Sequence, residues 1–101
     1  MITRIWHGVT PAAKADEYYR YVERTGLSDY RKTPGNRGVM VLRKVEKEKA
    51  HILVVSYWDS MAAIEAFAGA DTARARYYPE DDNFLLEKEP FVQHYEVVEK
   101  A

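Results

Sequence analysis

Residues 50 to 68 read Ala50-His-Ile-Leu-Val-Val-Ser-Tyr-Trp-Asp-Ser-Met-Ala-Ala-Ile-Glu-Ala-Phe-Ala68. From His51 to Trp58 the run is mostly β-branched, aliphatic or aromatic, with neither Gly nor Pro. Such a run suits a pleated strand packed on both faces. Asp59 and Ser60 then offer side-chain oxygens to the unpaired N–H groups of a helix start, and Met61, Ile64, Phe67 and Ala68 recur at three- and four-residue spacing. The stretch predicts a central strand passing directly into a helix. Trp58 and Phe67 bracket the turn between them, a place where two layers can enclose a pocket.

Working outward, residues 38–46 form a second apolar run, joined to the first by the mixed-charge segment 43–49, and the pair reads as a hairpin. Residues 2–9 carry β-branched and aromatic side chains and stop at Thr10-Pro11, a cap followed by a residue suited to the first helical position. Ala12, Ala15, Tyr18, Tyr19 and Val22 then mark a helix over 11–25, which Gly26 is placed to end. The turn formers of 27–37 predict a loop. After Gly69 the spacing predicts a short helical piece over 72–78, stopped by Pro79, then an acidic loop over 80–83 and a last strand over 91–98. The order β-α-β-β-α-β is that of an α+β, ferredoxin-like fold with a four-stranded antiparallel sheet and both helices on one face.

The strands do not alternate cleanly between apolar and polar: Val39 and Val41 oppose Met40 and Leu42, and Leu53 and Val55 oppose Ile52 and Val54. Two helices cover one face only, so the sequence predicts a homodimer that packs sheet on sheet. The 101 residues fit a single domain, 1–101. Fifteen basic residues against sixteen acidic ones, interleaved, give no electrostatic footprint for nucleic acid. No apolar run approaches the roughly 20 residues that span a bilayer, and no basic-then-apolar leader is present, so no membrane partner and a cytoplasmic location are expected. Without cysteine there are no disulfides and no thiolate chemistry. Eight Tyr and two Trp favour contact surfaces for a flat ligand or a second subunit.

Several segments resemble the antibiotic biosynthesis monooxygenase-like members of the dimeric α/β-barrel superfamily: Met1-Ile-Thr-Arg-Ile-Trp-His-Gly8, Tyr57-Trp-Asp-Ser60, Ala66-Phe-Ala-Gly69, Tyr78-Pro-Glu-Asp81, Phe84-Leu-Leu-Glu87 and Val92-Gln-His-Tyr-Glu-Val97. The resemblance implies the same fold and dimer. In function it implies a cofactor-independent monooxygenase acting on a small phenolic or quinol substrate, or a non-catalytic dimer that binds a small ligand. The haem-degrading branch of that family carries a Trp nine residues after the strand-end Trp and a haem-ligating His ten further on. Those positions hold Phe67 and Tyr77 here, which argues against haem degradation and for no cofactor.

The candidate catalytic residues are His7, Trp58 and His94, with His7 as the first choice of base because an imidazole titrates near neutral pH. Trp6, Tyr19, Phe67 and Tyr77 are the candidate substrate-binding residues. No resident metal is expected. His7, His94 and Glu96, on strands that pair in this fold, remain an alternative two-His, one-carboxylate set.

Overall fold

In the computed structural model, which describes residues 1–101, four strands form an antiparallel sheet in the order β2-β3-β1-β4. They are β1 (Ile2–Pro11), β2 (Asn36–Glu46), β3 (Lys49–Trp58) and β4 (Gln93–Glu96). The register of β1 on β3 sets Trp6 beside Val54, Arg4 beside Ser56 and Ile2 beside Trp58. Because successive side chains point to opposite faces, Arg4, Trp6, Gly8 and Thr10 share one face and Thr3, Ile5, His7 and Val9 the other. The first set is buried. Its face is covered by α1 (Ala15–Val22), α2 (Ser28–Lys32) and α3 (Met61–Ala68), whose Tyr18, Val22, Tyr30, Ile64 and Phe67 join Trp6, Ile52, Val54 and Trp58 in one core. This is the expected α+β, ferredoxin-like arrangement.

The first helical region departs from its expected bounds. Gly26 does not end the helix: a π-helical turn, Glu23–Leu27, carries it on into α2. The Thr25 hydroxyl donates to the Tyr21 carbonyl at 2.7 Å, satisfying an acceptor that the widened turn releases. The helix stops at Thr33, whose ψ of 121° is extended, as the following Pro34 requires. Strands β2 and β3 meet through Lys47-Glu48, with Lys47 left-handed at φ 57°.

Of the two oxygen-bearing residues before α3, Ser60 is the cap, its Oγ accepting from the Ala63 N–H at 3.2 Å. Asp59 instead pairs with Arg37 at 2.6 Å. The helical piece expected over 72–78 is absent, and the reason is long-range. Arg4 Nη1 donates to the Thr72 carbonyl at 2.6 Å and Nη2 to the Arg74 carbonyl at 3.0 Å, so those acceptors face the sheet rather than their own chain. The Ala75 N–H and the Ala73 carbonyl pair with Pro90 and Val92. The expected acidic loop is a 3₁₀ helix, Pro79–Asn83, opened by its proline, and β4 is shorter than the run 91–98.

Candidate functional site

Between the π-helical turn, the sheet and the irregular segment after α3 lies a small cleft that opens to solvent and encloses about 30 Å³. Trp6 and Val54 rise into it from the sheet, and Tyr18, Val22, Thr25, Gly26 and Tyr30 line its helical side. Phe67, Arg76, Tyr78 and Asp81 close the rest. π turns occur often at functional sites, and here the turn places Gly26 opposite the Tyr78 ring. The walls are chiefly aromatic: Tyr30 stacks on Phe67 with ring centres 4.3 Å apart and planes 19° apart, and Trp58 backs Phe67 from beneath at 5.5 Å.

Its polar groups are few and mostly committed. Asp81, buried, accepts from the Tyr18 hydroxyl at 2.9 Å and from the Tyr78 backbone N–H at 2.6 Å. Burial holds the Asp81 carboxyl above the usual carboxylate range. Burial, followed by Asp81 itself, pushes the Tyr18 phenol up, so Tyr18 stays a neutral donor. Tyr78, raised by burial and by its bond to Asp29, donates to Asp29 Oδ2 at 2.5 Å. Arg76 spans the mouth, its guanidinium carbon 5.0 Å from the Phe67 ring centre and 5.1 Å from that of Tyr78. The indole N–H of Trp6 is buried and has no partner.

Only two of the residues singled out in the sequence, Trp6 and Phe67, line the cleft. Trp58, expected as a catalytic residue, is 0% exposed and belongs to the core beneath the cleft, out of reach of a substrate. Tyr19 points outward from α1 at 41% exposure and bonds Glu23. Tyr77 turns away from the cleft and donates to the Glu89 carbonyl at 2.5 Å. His7 lies on the opposite face of the sheet, where it meets Glu89 and stacks on His51 with ring centres 5.4 Å apart. His94 pairs in register with Arg4, on the helix-covered face, and its Nε2 accepts from Arg4 Nη1 at 3.0 Å. The two histidines therefore face away from each other, which removes the set His7, His94 and Glu96. The sequence places Tyr78 among the aromatics near the layer junction but gives no site role to Tyr18, Tyr30, Arg76 or Asp81; the one local signal was Pro79 followed by acids, the mark of a short helix start.

These features define a small two-layer α+β domain with an aromatic cleft between its layers. The chain belongs to the antibiotic biosynthesis monooxygenase family, whose model matches residues 9–76. No curated protein matches it. Among solved structures, a single-substitution variant of MhuD with two manganese protoporphyrin IX bound per active site is 23% identical, with a TM-score of 0.67 over 100% of this chain and 98% of that one. The haem-degrader MhuD from Mycobacterium tuberculosis, with two haems bound in its active site, is 24% identical with a TM-score of 0.66, over 100% and 99% of the two chains.

These structures overturn the expectation of a cofactor-independent phenol or quinol monooxygenase and the argument against haem chemistry, since chains of this fold hold porphyrin in their active site. That argument counted along the sequence to Tyr77. The segment it counted through is irregular, and the cleft receives the neighbours Arg76 and Tyr78 instead. The lining offers aromatic rings and a cation at the mouth, but the space it encloses is about 30 Å³, smaller than a porphyrin, so the cleft as it stands does not fit one. It holds no imidazole for iron, and the hydroxyls of Tyr18 and Tyr78 and the Asp81 carboxyl are bonded to one another or to Asp29.

Proposed function

We propose that the protein binds a porphyrin, with haem as the physiological form to test, in the cleft between Trp6, Tyr30, Phe67 and Tyr78. The observation that carries this reading is the aromatic lining of Trp6, Tyr30, Phe67 and Tyr78, a composition common in pockets for flat apolar ligands. The full-length likeness in fold to porphyrin-bound proteins supports it. The space the cleft encloses, about 30 Å³, is far below that of ligand pockets, so a macrocycle enters only where the walls part. A bound haem would supply the redox chemistry of its own iron. The chain would contribute the apolar walls and the Arg76 cation. Titration with haem and with metal-free protoporphyrin IX, followed by the Soret band and by tryptophan fluorescence, should saturate at one equivalent. Absence of both signals at micromolar protein would overturn the reading. Loss of the Soret band under reductant and oxygen would extend binding to degradation.

The same reading includes a homodimer. Met40, Leu42 and Tyr95 stand exposed on the sheet face that no helix covers, beside Ile5, Leu53 and Val55. Family members are typically dimeric, and sheet-on-sheet packing would cover this face. No helix of the chain is long and apolar enough to cross a membrane.

A further inference from the structure

Away from the cleft, two histidines meet nitrogen to nitrogen. His7 on β1 and His51 on β3 share the sheet face that no helix covers; His7 pairs in register with Leu53 and His51 with Val9, so the two are diagonal neighbours. Their ring planes lie 12° apart, and His7 Nε2 stands 3.1 Å from His51 Nδ1. The side chains are 33% and 35% exposed, within reach of a solute and with room to turn.

The outer nitrogen of each ring faces a carboxylate. His7 Nδ1 is bonded to Glu89, and His51 Nε2 lies 4.0 Å from Glu46 Oε1. Both acids are held in turn: the Glu89 carbonyl accepts from the Tyr77 hydroxyl, and Lys44 Nζ lies 3.1 Å from Glu46 Oε1. A carboxylate draws the single proton of a neutral imidazole to the nitrogen it faces and leaves the lone pair on the other. Two lone pairs then oppose each other across 3.1 Å, and a cation between them relieves the opposition.

We infer that His7 Nε2 and His51 Nδ1 form a two-nitrogen site for a late first-row divalent cation such as Zn²⁺, Ni²⁺ or Cu²⁺, with Glu89 and Glu46 orienting the rings. A tetrahedral ion that takes imidazole nitrogens at about 2.0–2.1 Å holds two of them about 3.4 Å apart, so the pair has only to part slightly and pivot. No group of three or more His, Asp or Glu gathers at ligand spacing, so water completes the coordination. Ions that prefer oxygen, Mg²⁺ and Ca²⁺, are disfavoured because the carboxylates are turned to the outer nitrogens. His94 makes no such site, since its Nε2 meets the Arg4 guanidinium.

Zn²⁺ titrated into the tag-free chain against a chromophoric indicator, at about pH 7.5 where imidazole is mostly neutral, should report one site per chain. Mg²⁺ should not compete. His7→Gln and His51→Gln should each abolish binding, Glu89→Gln should weaken it about 10–100-fold, and His94→Gln should leave it unchanged. Cu²⁺ on the natural chain should show two imidazole nitrogens by pulsed electron paramagnetic resonance, a reading that depends on no variant's folding. Absence of Zn²⁺ binding, displacement of Zn²⁺ by Mg²⁺, a spectrum with one nitrogen or none, or a loss of affinity in His94→Gln would each overturn the inference.

Discussion

The Trp58 indole donates to Ser56 Oγ at 2.9 Å, joining two fully buried residues on the same face of β3. The pair satisfies a donor that the core would otherwise strand. Trp58→Ala is expected to cost about 3–5 kcal/mol, through lost burial and the cavity left behind. Ser56→Ala should cost about 1–3 kcal/mol, because it leaves the indole N–H unpaired. Made in a Trp58→Phe background, where no N–H remains, Ser56→Ala should cost measurably less. Urea titrations of the four chains check this, and additive costs would refute the coupling.

Stability should fall in mild acid through His94. Burial, and then the Arg4 guanidinium, hold its folded pKa below the ordinary 6.5. As pH drops through about 6.5 the unfolded chain takes up the proton first, so the contribution is fully present above that value and is lost as pH falls toward the folded pKa. His94→Gln keeps an acceptor for Arg4 and removes the titration. Its melting temperature should therefore decline less than that of the natural chain between about pH 5 and 8. Asp81 works in the opposite sense, since its raised folded pKa makes the folded chain bind a proton more readily as pH falls through the carboxylate range.

Two glycines should respond oppositely to alanine. A Cβ at Gly8 would stand 2.3 Å from Trp6 Cη2 and 3.0 Å from Leu85 Cδ2, so Gly8→Ala must displace the indole and should cost about 1–3 kcal/mol. At Gly26 a Cβ would lie 3.7 Å from the Tyr78 ring, an ordinary contact. Gly26→Ala should stabilise by about 0.5–1 kcal/mol through its backbone preference. By narrowing the cleft it should also weaken porphyrin binding. Thermal melts beside a Soret titration would separate the two effects.

A charge on the uncovered sheet face should dissociate the proposed dimer. Leu42 is 44% exposed there, and Leu42→Glu would bury a carboxylate between two apolar sheets. Sedimentation velocity at micromolar concentration should show a dimer for the natural chain and a monomer for the variant. A natural chain that sediments as a monomer would refute the interface.

The strands and α3 were legible because their signals are local. The apolar run 51–58 and the cap at Ser60, with Ile64 and Phe67 at helical spacing, need no partner to be read. The first helix was misjudged at Gly26, where a residue that ordinarily ends helices sits inside a π-helical turn that continues into α2. The cleft was half legible: Trp6 and Phe67 sit on regular elements, so their period assigns them a face. Arg76 and Tyr78 sit on a segment shaped by bonds from Arg4, 68 and 70 residues away in sequence, and no local pattern records such bonds. His7 and His94 were read as partners because their strands pair, but the parity of the register sends them to opposite faces.

Arg4 grips the segment between α3 and β4 by its carbonyl oxygens, at Thr72 and Arg74. Every amino acid carries that oxygen, so the grip is indifferent to which side chains the segment bears. The path of residues 72 to 74 is thus set by backbone atoms, while Ala75, Tyr77 and Tyr78 further along are held by their side chains' packing on the core. A substitution at Thr72 or Arg74 leaves that mooring in place, because the carbonyl that Arg4 holds is common to every residue.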